Sequence, residues 1–207
     1  MTSSFVFEDT EQGRRLFSGE EEGNVYSRYS NPTVSEFEQK MADLEGGEAA
    51  RATATGMSAI FTTFATLLKS GDHVVSSRSI FGSTHQILTQ ILPKWGISHD
   101  YIDFNRPEDW KKAVKPGSKL LFLETPSNPS LDLIDLKFAA DFAREHGMLL
   151  AVDNVFCTPY LQNPIAFGAD IVIHSATKYI DGQGRALGGV IVSNSKIVEE
   201  LTFMLRH

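Results

Sequence analysis

The chain has 207 residues, 42% hydrophobic and 22% charged, with a formal net charge of −7. Such a chain is long enough to bury a substantial core, and its acidic balance speaks against a nucleic-acid partner, which selects a basic face. The single cysteine, Cys157, excludes an intrachain disulfide framework. With no basic and apolar leader and no run of ~20 apolar residues, the expectation is a cytoplasmic protein that does not span a membrane.

Residues 1–45 are polar and broken by Gly13, Gly19, Gly23 and Pro32. They read as a frayed terminus or as an arm that wraps a partner, not as core. Within this region "TVSEFEQKMADLEG" predicts a helix, with Val34, Phe37, Met41 and Leu44 at helical spacing and Gly46 as its stop. From residue 50 short β-rich runs alternate with helical patterns. "MSAIFTTFATLLKS" predicts a helix and "HVVSS" (73–77) a strand. "STHQILTQILPKW" predicts a helix that Pro93 should end near Leu92. "PEDWKKAV" is helical, "KLLFLE" (119–124) a strand, and "LIDLKFAADFAREHG" a helix. "MLLAVD" (148–153), "ADIVIHS" (169–175) and "GGVIVS" (188–193) are strands, and "SKIVEELTFMLRH" is an amphipathic helix. The near-continuous apolarity of the strands predicts a sheet covered on both faces. The alternation predicts an α/β fold with a mostly parallel sheet flanked by helices.

Ligands of such sheets bind beyond the carboxyl ends of the strands. Glu124, Asp153 and the stretch Ser175 to Lys178 stand at three of those ends. Ser175 and Lys178 satisfy S-x-x-K, but the S-D-N and K-T-G triplets of that hydrolase class are absent. "GMSAI" lacks the second glycine of a nucleophile elbow, and no P-loop is present. "GQGRALGG" precedes a strand, whereas a dinucleotide fingerprint follows one. The six histidines are scattered, and neither H-E-x-x-H nor a second cysteine is present, so no metal site is expected. His174 reads as a core residue.

A Schiff-base reading fits better. Pyridoxal phosphate needs a lysine for its aldehyde, a carboxylate for its ring nitrogen, donors for its phosphate and a flat cover for its ring. Lys178 and Asp153 supply the first two. "ATATGMSAIF" supplies a helix start at Gly56, whose amides favour an anion by up to ~2 kcal/mol. Ser175 and Thr177 add hydroxyls, and Phe81 can cover the ring.

Five segments in order, "YSRYSNPT", "ATATGMSAI", "ETPSNP", "AVDNVFCTP" and "HSATKY", resemble those of the Cys/Met-metabolism family of pyridoxal-phosphate enzymes. That family includes cystathionine synthases and lyases, methionine γ-lyase and the homoserine-ester sulfhydrylases. The match runs over nearly the whole chain. "SIFGSTHQ" and "HSATKYIDGQGR" are most similar to the sulfhydrylases that use O-succinylhomoserine. The resemblance implies a fold-type-I transferase that performs γ-replacement on an O-acyl-homoserine, an amino-acid ester, with sulfide to give homocysteine in methionine biosynthesis. Cystathionine γ-synthase or γ-lyase chemistry is the alternative within the family, and a non-catalytic remnant is the alternative outside it.

The resemblance also implies roles. Lys178 would hold the cofactor and Asp153 its ring nitrogen, with Asn128 near the ring hydroxyl. Thr55, Gly56, Met57, Ser175 and Thr177 would line the phosphate cup. Tyr26 and Arg28 would reach the phosphate of a neighbouring subunit, which makes residues 1–45 a subunit clasp in a homodimer or homotetramer. Residues 46–207 would form the cofactor-binding domain. Two departures stand out. Phe81 occupies a position where many relatives have tyrosine, so leaving-group protonation falls to Lys178 or Tyr26. The further domain that carries an arginine for the substrate carboxylate is not in this chain, which therefore resembles a C-terminally truncated product.

Overall fold

The computed structural model describes residues 2–207. Helices α1 (Thr10–Ser18) and α2 (Pro32–Glu45) precede a seven-stranded sheet. Its strands are β1 (Ala49–Thr53), β2 (His73–Ser77), β3 (Ser98–Ile102), β4 (Ser118–Glu124), β5 (Leu149–Asp153), β6 (Ile171–Ser175) and β7 (Gly189–Ser193). Helices α3 (Gly56–Leu67), α4 (Gly82–Gln86), α5 (Leu136–Glu145) and α6 (Thr158–Leu161) lie between the strands, and α7 (Ser195–Arg206) follows them. The order across the sheet is β1-β7-β6-β5-β4-β2-β3. Strand β7 pairs antiparallel with β1 and β6, and the other pairings are parallel. The mostly parallel α/β sheet expected from the alternation is the sheet that forms.

The sheet separates two cores. On one face Met41 and Ala42 of α2 and Leu136, Ala139 and Ala140 of α5 pack on Leu121, Leu123, Val152, Val172 and Val192. On the other, Ile60 and Phe64 of α3 and Ile197 and Leu201 of α7 pack on Leu120, Phe122, Ala151, Ile173 and Ile191. Successive side chains of a strand point to opposite faces, so each central strand feeds both cores and must be apolar throughout. Full burial of each Leu, Ile, Val or Phe is worth about 1.5–3 kcal/mol, so these layers dominate the stability. The alternation also fixes the site. Glu124 follows Leu120 and Phe122, Asp153 follows Ala151, and Ser175 follows Ile171 and Ile173. All three polar ends therefore emerge on the face that carries α3.

Local chemistry explains the helix limits. Asn31 caps α2 by accepting the N–H groups of Thr33 and Val34, Pro32 opens its first turn, and Gly46 ends it at φ 74°. The side chains of Asp135 and Asn194 cap α5 and α7 in the same way.

Four features depart from the sequence reading. Helix α2 lies in the segment read as non-core, yet Met41 and Ala42 belong to a main core, so the break at residue 45 does not follow the packing. Strands β1 and β3 had no apolar signal, because "AARAT" and "SHDYI" form the two edges of the sheet and are only partly covered. Helix α1 was not expected. It is capped by Asp9 and laced by ion pairs of Arg14 with Glu11 and Glu20 and of Arg15 with Glu21. The segment before Pro93 does not simply stop. It runs as α-helix over Gly82–Gln86, as π-helix over Ile87–Ile91 and as 3-10 helix over Leu92–Trp95. Proline lacks an N–H and crowds the carbonyl one turn back, so the helix changes its bonding pattern around it. Among the described residues no helix is long and apolar enough to cross a membrane.

Candidate active site

At the carboxyl ends of β4, β5 and β6 lies a cleft of about 390 Å³. Its floor begins with Asp153, the last residue of β5, which is 7% exposed. Asp153 Oδ1 accepts the N–H of Val155 at 3.1 Å. Burial pushes the Asp153 carboxyl up to about 6, opposed by the nearby His174 and by that N–H. Beside it in register stands Glu124, the last residue of β4. Burial and the Asp153 charge push Glu124 up to about 8.

The start of α3 forms a second wall, with Thr55, Gly56 and Met57 lining the cleft. Thr55 Oγ1 accepts the N–H of Ser58 at 3.0 Å and so caps the helix. Gly56 is required by close approach. A methyl group there would lie 2.5 Å from Cβ of Ser175 and 2.8 Å from its Oγ. The first amides of a helix have no partner within it, which makes this wall a place for an anion. Ser175 and Thr177 complete that side. Thr177 Oγ1 accepts the N–H of Gly188 at 3.1 Å, which ties the turn after β6 to the start of β7.

Lys178 is exposed and lines the same cleft. It sits inside a π-helical turn, Ala176–Ile180, whose regularity breaks at Lys178 itself, with φ −92° and ψ −116°. Phe81 stands at the entrance with 41% of its surface exposed, and Asn128 lines the cleft from the loop after β4.

The cleft thus brings together Thr55, Gly56, Met57, Phe81, Asn128, Asp153, Ser175, Thr177 and Lys178. It does not bring in Tyr26 or Arg28. Tyr26 is 43% exposed. The Arg28 guanidinium packs over the Tyr29 ring at 4.7 Å and donates to the backbone carbonyl of Arg206 in α7. The cleft also contains Ser83, Val155, Phe156 and Leu187, which the sequence reading did not name. Phe156 lies within the quoted "AVDNVFCTP", a signal that could have found it. Leu187 sits in a glycine-rich turn with no such signal. Glu124 is legible as a strand end, but nothing in the sequence assigns it a role.

Behind the cleft is a buried polar group. His174 and Glu45 are both fully buried, with His174 Nε2 2.6 Å from Glu45 Oε1. Asn154 donates to the same oxygen at 2.9 Å, and Gln162 donates to Asn154 Oδ1 at 2.9 Å and to the Thr125 carbonyl at 2.8 Å. His174 is therefore the core residue that the sequence suggested, bonded through Nε2 while its Nδ1 has no partner among the described residues.

The side chains fit pyridoxal phosphate. A buried carboxyl held above its ordinary range, with one backbone N–H on Oδ1, is short of a cation, and a protonated ring nitrogen is one. The cradle between Gly56 and Ser175, closed to any larger residue at position 56, suits a phosphate on backbone amides.

Residues 1–207 match the family model described as Cys/Met metabolism PLP-dependent enzyme. The O-succinylhomoserine sulfhydrylase of Pseudomonas aeruginosa is 51% identical over 205 residues, which cover 99% of this chain and 51% of that protein. The L-methionine gamma-lyase of Porphyromonas gingivalis is 43% identical over 201 residues, 97% of this chain and 50% of that protein. Among solved structures, metB from Corynebacterium glutamicum superposes with a TM-score of 0.90 at 36% identity, covering 99% of this chain and 52% of that one. A putative O-acetylhomoserine (thiol)-lyase from Campylobacter jejuni, solved with N'-pyridoxyl-lysine-5'-monophosphate, gives 0.87 at 33% identity, covering 96% and 49%. The chain spans about half the length of the curated relatives it matches.

Proposed function

The chain belongs to the Cys/Met metabolism family of PLP-dependent enzymes, and from that premise we propose that the protein performs γ-replacement on an O-acyl-homoserine. O-succinylhomoserine is the substrate the reading favours. Sulfide replaces succinate at Cγ, and homocysteine leaves. The observation that carries the reading is the convergence of Lys178, Asp153 and the first turn of α3 on one cleft. The likeness to the O-succinylhomoserine sulfhydrylase supports the choice of ester.

Bound pyridoxal phosphate supplies an aldehyde for the substrate amine and an electron sink for the carbon acids beside it. The chain's own residues do the rest. Lys178 Nζ would hold the cofactor through its aldehyde and, as a free amine, would move protons between substrate carbons. Asp153 would favour a protonated ring nitrogen by its negative charge. Thr55, Gly56, Met57, Ser175 and Thr177 would hold the phosphate through amides and hydroxyls. Asn128 would face the ring hydroxyl, and Phe81 would cover the ring by stacking. A phenylalanine there has no proton to give, so the leaving group takes its proton from Lys178 or from Tyr26.

Tyr26 and Arg28 lie off their own chain's cleft, and we assign them to a partner's cleft in a homodimer or homotetramer. The second reading is γ-elimination, favoured by the likeness to the methionine γ-lyase. Product analysis separates the two. Incubation with O-succinylhomoserine and sulfide yields homocysteine under the first reading, and 2-oxobutanoate with ammonia under the second. A chain that takes up the cofactor and forms neither product is a non-catalytic remnant.

A further inference from the structure

Glu124 is 1% exposed, and no role described so far uses it. Its Oε2 accepts the backbone N–H of Phe81 at 2.6 Å across 43 residues of sequence. Phe81 opens α4, a helix with no side-chain cap of its own. The residue is 41% exposed, so burial fixes it only in part. The Glu124 bond holds the Phe81 backbone where the chain enters α4.

We propose that Glu124 is a positioning residue that accepts the Phe81 N–H and thereby fixes the aromatic cover of the cleft. This rests on the reading that the cleft holds pyridoxal phosphate beneath Phe81. Glu124 and Asp153 occupy paired places on adjacent strands, so two buried acids emerge on one face. Like charges that close do not both ionise at neutral pH, and Glu124 is the one pushed further up. The neutral carboxyl still offers Phe81 its acceptor oxygen and leaves Asp153 as the negative charge on this face. Glutamine copies the neutral acid in shape and acceptor. Aspartate keeps the acid but draws the acceptor back by one methylene.

Two measurements test this. Hydrogen exchange at the Phe81 amide in the cofactor-free protein reads the fastening directly. Visible circular dichroism during titration with pyridoxal phosphate reads cofactor affinity and ring environment. Glu124→Leu should speed exchange at Phe81 by about tenfold and weaken uptake by about fivefold or more, the scale of one lost buried hydrogen bond. Glu124→Gln should restore both to within about threefold, and Glu124→Asp should fall between Leu and Gln. Unchanged exchange in Glu124→Leu overturns the inference. So does Asp preserving uptake while Gln loses it, because the charge would then be what acts. If Glu124→Leu does not fold, the order of Gln and Asp decides alone. If the unsubstituted protein takes up no pyridoxal phosphate, the proposed function falls, and exchange at Phe81 still decides the role of Glu124.

Discussion

Glu124 and Asp153 stand in register on β4 and β5, so two buried carboxyl groups leave the same sheet face one strand spacing apart. Both are pushed up, Glu124 to about 8 and Asp153 to about 6. An acid with a raised folded value holds its proton more tightly in the folded chain than in the unfolded one. Its contribution to stability is complete below the unfolded value, here 4.5 for Glu124, and is lost as pH rises through about 8. For Glu124 the amount is of order several kcal/mol. The expected outcome is that Glu124→Gln, which has no proton to lose, gains stability over the unsubstituted protein as pH rises from 5 to 8. Melting of the two cofactor-free proteins across that range checks it, and a constant difference between them contradicts it.

Lys178 is expected to carry the cofactor. Borohydride reduction after addition of pyridoxal phosphate, followed by peptide mapping, should place the pyridoxyl group on Lys178. A reproducible adduct on another lysine would remove Lys178 from the site.

Asp153→Asn keeps the shape at the end of β5 and removes the charge. Under the proposed function, turnover of O-succinylhomoserine in the full-length context should fall by at least about tenfold, a loss of about 1.4 kcal/mol in transition-state stabilisation, while cofactor uptake persists. Steady-state rates set beside cofactor content per chain read this directly. Rates that match the unsubstituted enzyme would assign the ring nitrogen another partner.

Gly56→Ala tests the cradle. Its methyl group would come within 2.5 Å of Ser175 Cβ, so the start of α3 or the end of β6 must move. Overpacking of this kind costs about 1–3 kcal/mol. The variant should melt several degrees lower and lose affinity for inorganic phosphate and for pyridoxal phosphate together. Loss of stability with intact affinity for both would place the anion elsewhere.

Arg28 separates two roles. Within its chain it packs on Tyr29 and donates to the Arg206 carbonyl. As a clasp on a partner's phosphate it needs its planar fork of donors, which lysine lacks. The clasp reading expects Arg28→Ala to weaken cofactor binding more than Arg28→Lys does, with cofactor-free melting nearly unchanged. A role confined to the Arg206 contact expects the opposite pattern. Mixed oligomers of Arg28→Ala and Lys178→Ala subunits in the whole enzyme add a direct test, because one of the two sites in a mixed dimer then carries neither defect. Activity should partly return.

Asp153, Gly56 and Lys178 are legible because strand ends and helix starts leave local marks, whereas Asn128 is reached only through the family resemblance and Leu187 by neither route. An apolar run that stops at an acid, as at Asp153, and a glycine that opens an apolar helix, as at Gly56, can both be read without knowing the fold. Strands β1 and β3 were not legible, because edge strands need no continuous apolar run. The core role of α2 was hidden by its polar composition, since Met41, Ala42 and the partly buried Phe37 reach the core together with the buried acids Glu38 and Glu45. The bond from Phe81 to Glu124 was out of reach for another reason. It joins a backbone N–H to a side chain far along the sequence, and no spacing rule connects them.

The alternation of β4, β5 and β6 between two cores has a consequence for making the protein. A slip of one residue in any of these strands exchanges the layers it feeds and turns its terminal polar group to the wrong side of the sheet. Such a chain can be compact and rich in helix and strand, yet it has no floor for the cofactor. Pyridoxal phosphate is coloured when bound, so the yellow absorbance per mole of refolded chain counts the correctly threaded molecules. Far-ultraviolet spectra would score the misthreaded ones equally well.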